Sequence, residues 1–295
     1  MVLQTLRRGL LLYPLGTTAA PGPDTPAAPG HDTPAARWAF QLGRWAIPED
    51  ILAAAPESPW TFPTDLFVRS AAAARADTDP TPSRRRAVEA IPPGGTVLDV
   101  VAGAGAASLP LAPPAGRLVA VDESQSMLDA FAAGADRAWL DHTEVCGRWP
   151  DVSPEVDAAD VVVCHHVVYN VADLVPFMTA LDRHARRRVV LELTSRHPQS
   201  DLNPLWAAIH GIERPGGPTA VTAAEVANSL GYDARTEVFE RPPRWHDPTE
   251  PDHVAFARRR LCVGPERDAD IAAQLARLPT VARQLVTLWW DVRHP

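Results

Sequence analysis

Short runs of consecutive apolar residues alternate with helix-like segments from residue 96 onward. Each run is rich in β-branched residues, and the segment 172–185 between two of them has apolar residues at helical spacing. Such runs are typical of parallel strands that are buried on both faces, with helices packed on either side. We therefore predict a doubly wound, mostly parallel α/β sheet. The five runs are TVLDVV, RLVAVD, HTEVCG, ADVVVCHH and RRVVLELT.

The C-terminal part of the chain has a different pattern. Residues 234–241 and 282–292 alternate apolar and polar positions, as strands with one exposed face do, and the segments 251–263 and 266–277 between them have helical spacing. A late pair of such strands beside a parallel sheet predicts a mixed sheet with an antiparallel hairpin at its edge.

The region before the first apolar run lacks a strand pattern. Residues 1–36 include a duplicated octapeptide, PGPDTPAA followed by PGHDTPAA, and we expect them to form a disordered tail because they bury too little apolar surface. Residues 37–91 have helical spacing with aromatic anchors, and Thr81 is placed as a helix N-cap. We therefore predict a helical extension over 37–91, acting as a lid or packing on the main domain, and an α/β domain over 92–295.

Composition narrows the classes of function. The formal net charge of -8 argues against a general nucleic-acid binder, because such proteins carry a basic surface. No apolar run reaches the roughly 20 residues of a membrane span, so we expect no membrane insertion. Cys146, Cys164 and Cys262 are far apart and odd in number, which favours a reducing, cytoplasmic location over a disulfide or zinc framework.

The segment Val97–Ser108, VLDVVAGAGAAS, has the form of a strand that ends in a ligand-binding turn. Ligands of open α/β sheets bind at the carboxyl ends of strands, and Gly103 and Gly105 lack Cβ atoms, so a ligand can approach the backbone there. The next residues, SLPLA, are expected to begin a helix whose N-terminus favours negative groups. Asp122 ends the second run, where a carboxylate can accept hydrogen bonds from both hydroxyls of a ribose.

Two features of this turn bear on the choice of cofactor. The pattern GAGAAS is one glycine short of the dinucleotide fingerprint, and Asp99 would repel a pyrophosphate but suits an ammonium or sulfonium group. Val101 stands where glycine-rich turns have their first glycine. We expect it to keep β-region backbone angles, because a positive φ would cost a β-branched residue about 1–3 kcal/mol. A nicotinamide-dependent, NAD(P)-binding oxidoreductase is therefore the weaker alternative.

Four successive segments resemble the motifs of class I S-adenosylmethionine-dependent methyltransferases. The resemblance covers roughly residues 90–195. It implies a seven-stranded sheet whose last strand is antiparallel, with S-adenosyl-L-methionine as the cofactor. The segments are VLDVVAGAG, LVAVDESQSML, VCGRWPD and ADVVVCHHVVYNVADLVPFMTAL.

The resemblance also implies roles for individual residues. The loop Val101–Gly105 would wrap the methionine part of the cofactor, and Asp122 would hold the ribose hydroxyls. Glu123 and Met127 would flank the adenine.

One position of the resemblance departs from the family. The acid that the family places near the adenine N6 falls at Arg148, and we expect Trp149 to pack on the adenine ring instead. The predicted cofactor-binding residues are Asp99, Ala102, Gly103, Gly105, Asp122, Glu123, Met127, Arg148, Trp149 and His165.

Methyl transfer from a sulfonium needs a positioned nucleophile, and it needs a general base only where the acceptor loses a proton. His165 and His166 end the fourth run and are candidate bases, although alternation along a strand lets at most one of them face the pocket. His197, on the loop after the fifth run, is a third candidate. Each of these histidines can equally be bonded to the backbone or cap a helix.

Further polar and aromatic residues after the fourth and fifth runs are candidates for substrate binding. Asn170 is expected to cap a helix that begins near Ala172, and Trp206 to form a wall of the substrate site. Glu192 lies in an otherwise buried strand and therefore needs a partner. No motif has metal-ligand spacing, so we expect no metal. The substrate-binding candidates are Tyr169, Asn170, Arg196 and Trp206.

The sequence thus predicts S-adenosylmethionine-dependent methyl transfer to a small-molecule acceptor. A non-catalytic S-adenosylmethionine-binding or interaction protein is an alternative of another class, which the departures at Val101 and Arg148 favour. Binding of S-adenosylmethionine distinguishes both from the oxidoreductase.

Overall fold

A seven-stranded sheet forms the centre of the computed structural model, which describes residues 32–60, 64–243 and 250–293. The strands are β1 (Thr96–Val100), β2 (Arg117–Asp122), β3 (Asp141–Cys146), β4 (Ala159–His165), β5 (Ala185–Thr194), β6 (Arg235–Arg241) and β7 (Arg283–Asp291). Their order is β3-β2-β1-β4-β5-β7-β6. Strand β7 is antiparallel to both of its neighbours, and the other pairs are parallel. The predicted fold class is confirmed.

Helices connect the strands and precede the first of them. Among the helices of the described residues, none combines the length and hydropathy that a bilayer crossing needs. They are α1 (Pro34–Gly43), α2 (Glu49–Ala54), α3 (Thr64–Ala76), α4 (Pro82–Ala90), α5 (Gln125–Asp136), α6 (Leu174–His184), α7 (Asn203–His210), α8 (Ala220–Ser229), α9 (Pro251–Arg260) and α10 (Asp268–Leu275).

Capping residues set where the N-terminal helices begin. Thr81 accepts a hydrogen bond from Arg84 N at 3.1 Å, which confirms the predicted N-cap of α4. Helix α1 begins at Pro34 behind a Thr33 cap, ahead of the boundary predicted at residue 37. The remainder of the predicted tail, residues 1–31, lies outside the described residues.

Two expected helix starts are wrong. The segment SLPLA forms only a short 3₁₀ turn, Leu109–Leu111, because Pro113 and its neighbour Pro114 cannot continue a helix. Asn170 does not cap the helix after β4. That helix begins at Leu174, and the side chain of Asp173 accepts the capping bond.

Apolar side chains cover both faces of the sheet. Helices α1, α6 and α8 pack on one face, where Trp38 and Phe177 are buried. Helices α4 and α5 pack on the other face, where Phe131 and Trp289 are buried. A third cluster around Leu205 joins α7, α9 and α10. The N-terminal helices are spread over the molecule, since α1 lies on one face, α4 on the other, and α3 against the loop after β1.

Candidate functional site

The loop after β1 is bound to the end of β2 by hydrogen bonds. Ala102 N donates to Val121 O at 3.0 Å, and Gly103 N donates to a carboxylate oxygen of Asp122 at 2.9 Å. The other oxygen of Asp122 accepts the N–H of Ser124 at 2.9 Å. Burial raises the pKa of Asp122, and these backbone N–H groups oppose the rise. Each oxygen keeps a lone pair, so the carboxylate can still accept hydrogen bonds from two hydroxyl groups.

Val101 adopts a left-handed backbone conformation with φ of +59°, so the expected β-region conformation is wrong. The chain turns sharply at this residue and brings Ala102 N against Val121 O. The Val101 side chain is 37% exposed, so little apolar burial offsets a strain of about 1–3 kcal/mol. Val101 is therefore a strained, exposed residue at the carboxyl end of β1.

The two glycines of the loop lack a Cβ atom for different structural reasons. A Cβ on Gly105 would lie 2.7 Å from a ring carbon of Phe131 and 2.9 Å from Leu109 Cγ. Gly105 therefore allows the loop to pack on α5, while the ligand approach expected at Gly105 stays a prediction. A Cβ on Gly103 would meet only Phe67 of α3, at 3.8 Å. Gly103 is the glycine beside which a ligand has room.

Asp99 lies beneath the loop and is only 1% exposed. Its carboxylate accepts a hydrogen bond from Ser108 Oγ at 2.6 Å, which closes the loop over it. Burial raises the pKa of Asp99 to about 7, although the bond from Ser108 opposes the rise. Asp99 can therefore influence a bound cation through its charge, while its side chain remains covered by the loop.

The predicted adenine side lies between the ends of β2 and β3. Met127 is buried, whereas Glu123 and Arg148 are exposed. Partial burial and the neighbouring Asp122 raise the pKa of Glu123, and Arg148 opposes them. The Trp149 ring is 2% exposed and packs edge-on against His184 of α6, with centroids 4.9 Å apart. The expectation that the Trp149 ring packs on an adenine is therefore wrong.

His166 and Glu192 form the closest acid–histidine contact at the carboxyl edge. Glu192 Oε1 lies 3.2 Å from His166 Nε2, and Glu192 O accepts the backbone N–H of His166 at 2.6 Å. His166 has φ of +61°, which breaks the strand alternation and turns its ring back toward Glu192. Burial raises the pKa of Glu192, but the hydrogen bond from His166, with further effects of His165 and Ser83, outweighs burial and lowers that pKa to about 2.

His165 also lies beside Glu192, because the two residues are partners in the pairing of β4 with β5. Burial lowers the pKa of His165 to about 4, against the effect of Glu192, so its ring is neutral. Both histidines lie beside Glu192, but His165 Nε2 is buried and the His166 side chain is 50% exposed, which agrees with the expectation that at most one of them faces the pocket. These side chains do not form a metal site: no group of three or more potential ligands is placed to hold an ion anywhere in the described ranges.

The third candidate base, His197, lies in an aromatic stack. Its ring packs face to face on Trp45, with centroids 3.7 Å apart, and meets Tyr169 edge-on at 5.4 Å. Tyr169 in turn stacks on Trp38 and donates its hydroxyl hydrogen to Thr194 O at 2.8 Å. Burial lowers the pKa of His197 to about 3. His197 and Tyr169 therefore link the loops after β4 and β5 to the N-terminal segment, and their polar groups are covered.

The remaining substrate-binding candidates are separated from one another. Arg196 and Asn170 are exposed, whereas Trp206 is buried among α7, α9 and α10. Sequence reasoning missed Arg214, whose guanidinium lies 4.6 Å from the Trp206 ring and 5.4 Å from the Trp45 ring. The large number of Trp residues in the sequence could have suggested such a contact between an arginine and an aromatic ring.

Comparison with known proteins bears on the fold and on the class of domain. Residues 97–188 match the family model described as a methyltransferase domain. The YcgJ protein from Bacillus subtilis superposes with a TM-score of 0.50 at 12% identity, over 72% of this chain and 99% of that one. An S-adenosylmethionine-dependent methyltransferase from Thiobacillus denitrificans, in complex with S-adenosyl-L-homocysteine, gives a TM-score of 0.49 at 18% identity, over 79% of this chain and 99% of that one. No curated protein sequence gives a match.

The sheet order and the loop after β1 define a class I methyltransferase fold, and the matched family model covers that loop, Asp122 and His166. The resemblance seen in the sequence is thereby confirmed. Residues 97–188 match a methyltransferase domain, so the chain is a methyl-transferring enzyme.

Proposed function

We propose that the protein methylates a small-molecule acceptor in the cytoplasm. The proposal rests on the contact between Gly103 and Asp122. This contact places a carboxylate with free lone pairs beside a residue without a Cβ atom, where a ligand has room. This donor set fits the two hydroxyls of a ribose. When bound, S-adenosylmethionine supplies a methyl group on a positively charged sulfur, which makes that carbon reactive toward a nucleophile.

Several residues of this chain would hold the cofactor. Asp122 would bind the ribose, and the open backbone at Gly103 would lie against the ligand. Met127 and Glu123 would border the adenine. Asp99 would favour the positive sulfur through its buried charge.

The cover over the carboxyl edge supports a small acceptor. Phe67 of α3 lies over Gly103, and Trp45 stacks on His197 after β5. Aromatic side chains beside the loop after β1 and the loop after β5 favour a compact ligand over a polymer. The net charge of -8 also disfavours a nucleic-acid acceptor. The free thiols of Cys146, Cys164 and Cys262 support the reducing compartment.

Calorimetry on the full chain tests the cofactor. We expect S-adenosylhomocysteine to bind and NADH to give no heat of binding. Binding of NADH without binding of S-adenosylhomocysteine would overturn the proposal in favour of an oxidoreductase.

A methyl-transfer screen tests the acceptor. The protein is incubated with S-adenosylmethionine labelled in its methyl group and a cell extract that contains both metabolites and macromolecules. We expect the label in the low-molecular-mass fraction. Label in protein or nucleic acid alone would contradict a small-molecule acceptor.

A further inference from the structure

His166 is the most accessible of the three histidines predicted as bases. Its side chain is 50% exposed, whereas the Nε2 atom of His165 is buried and the ring of His197 is stacked on Trp45. A base must reach its acceptor and exchange its proton with solvent. Of the three histidines, His166 is therefore the one that is accessible enough to act as the base.

The position of His166 also suits a base at the reacting carbon. Strand β4 lies between β1 and β5, and it is paired with β1 through Asp99 and Val163. Because paired strands lie about 4.8 Å apart, the residues that follow β4 neighbour the loop that follows β1. That loop contains Val101 and Gly103, beside which the cofactor would bind.

We propose that His166, oriented by Glu192, is the general base that takes the proton from a hydroxyl group of the methyl acceptor. This inference rests on the proposed function. His166 Nε2 faces Glu192 Oε1 at 3.2 Å, so the neutral ring carries its proton on Nε2 and keeps a lone pair on Nδ1. The contact with Glu192 uses Nε2, so Nδ1 is the ring nitrogen that can face an acceptor.

The contact with Glu192 is built into the fold. The backbone N–H of His166 donates to Glu192 O, and the left-handed conformation of His166 is needed for the ring to return to the carboxylate. Conformations of this kind cost about 1–3 kcal/mol and persist where the surroundings enforce them. Glu192 is 7% exposed, and no described residue forms a hydrogen bond with its Oε2 atom. Glu192 is therefore a positioning residue with spare capacity to stabilise a protonated ring.

Other groups around Glu192 favour its ionised form. Arg283 from β7 acts on it by charge, and the neutral ring of His165 from β4 lies beside it. Its partner in β7 is Thr287, whose hydroxyl shares a hydrogen bond of 2.7 Å with Ser83 of α4. The carboxylate is thus enclosed by polar groups from β4, β7 and α4.

The proposed step transfers one methyl group and one proton. The acceptor oxygen forms a bond to the methyl carbon while its proton moves to His166 Nδ1, and the electron pair of the broken carbon–sulfur bond stays on sulfur. Solvent then removes the proton from the exposed ring. A base is needed where a neutral hydroxyl must lose its proton, whereas a carboxylate or thiolate is already anionic. The geometry therefore favours O-methylation of an alcohol or phenol.

Nitrogen NMR on protein labelled in its histidine rings tests the proposal directly. The His166 signals are assigned by their loss in His166→Asn, a substitution that tolerates the left-handed backbone. We expect the neutral His166 ring to be protonated on Nε2, and this preference to weaken in Glu192→Gln. Protonation on Nδ1 in the wild-type protein would overturn the proposal, even if Glu192→Gln does not fold.

Addition of S-adenosylhomocysteine then tests proximity to the cofactor. We expect the His166 signals to shift, while those of the control His142, which contacts Glu144 on β3, stay in place. Unchanged His166 signals on a protein that binds the ligand by calorimetry would overturn the base role alone. Absence of any binding would refute the proposed function as well.

Measurements of methyl-transfer activity complete the test. With the acceptor found in the methyl-transfer screen, His166→Asn should lower kcat by about a hundredfold or more while affinity for S-adenosylhomocysteine changes less than threefold. His142→Asn should leave both unchanged. The label should be on oxygen, and a label on nitrogen, sulfur or carbon would refute the acceptor class.

Discussion

Gly103 N and the Asp122 carboxylate meet at 2.9 Å, and this contact joins the loop after β1 to the end of β2. A ligand that binds Asp122 therefore acts on the loop conformation as well. The second oxygen of Asp122 is fixed by Ser124 N, so the carboxylate has a defined orientation before a ligand arrives. Preorganisation of this kind lowers the entropic cost of binding.

Replacement of this carboxylate should weaken cofactor binding. Asp122→Asn places an amide N–H against one of two backbone N–H donors and removes the charge. Hydrogen bonds to charged groups contribute about 1.5–3 kcal/mol, so we expect affinity for S-adenosylhomocysteine to fall at least tenfold in calorimetry. The matched control Asp129→Asn, on the exposed side of α5, should bind normally. Equal affinity of the two folded variants would remove Asp122 from the site.

Relief of strain at Val101 should stabilise the fold. Val101→Gly removes a left-handed β-branched residue, and the gain exceeds the entropy of about 0.5–1 kcal/mol that glycine adds to the unfolded chain. We expect the free energy of unfolding in urea to rise by about 1 kcal/mol, with equal or higher affinity for S-adenosylhomocysteine. The control Val238→Gly, at an exposed position of β6, should destabilise instead. A tenfold loss of affinity in folded Val101→Gly would show that the valine is an adapted part of the site.

Most of the sheet was predictable from the sequence because the pattern of apolar residues within each strand is enough to indicate that strand. The central parallel strands are buried on both faces, and this requirement alone produces a run of apolar residues such as that ending at Val100. The N-cap at Thr81 is local as well, since the side chain bonds to a backbone N–H three residues along. The prediction for β7 is wrong: the sequence suggested one exposed face, whereas residues 285–290 are all buried because β7 lies between β5 and β6.

The site was less predictable because tertiary contacts determine it. The turn at Val101 is set by the bond from Ala102 to Val121, which a propensity argument cannot anticipate. Strand alternation fails at His166, whose backbone conformation is held by Glu192 from another strand. Trp149 follows β3 at a ligand-binding edge, yet its ring packs against α6, where a large apolar side chain gains more by burial.

The buried acid Asp99 should make stability depend on pH. Its pKa is about 7 in the folded protein and about 3.8 in an unfolded chain, so the folded state binds more protons between these pH values. The contribution of Asp99 to stability is therefore present below about pH 4 and falls as pH rises to about 7. Asp99→Asn keeps an acceptor for Ser108 and does not titrate.

Urea unfolding at pH 5 and pH 8 measures this effect. The wild-type protein should lose more unfolding free energy between the two pH values than Asp99→Asn, with a difference of up to about 1.4 kcal/mol per pH unit below pH 7. The exposed control Asp129→Asn should keep the wild-type slope. Identical slopes for all three proteins would show that Asp99 is ionised in the fold.

Trp45 should anchor the N-terminal segment over the carboxyl edge of the sheet. Its Nε1 donates to Gly217 O at 2.6 Å, its ring stacks on His197, and the Arg214 guanidinium lies 5.4 Å from it. Trp45→Ala should therefore lower the free energy of unfolding by about 3–5 kcal/mol. Trp139 is 95% exposed and provides the matched control, because Trp139→Ala should change that free energy by less than about 0.5 kcal/mol. If urea unfolding gives the same stability for both variants, the N-terminal segment is not anchored through Trp45, and the aromatic stack with His197 does not close this edge in solution.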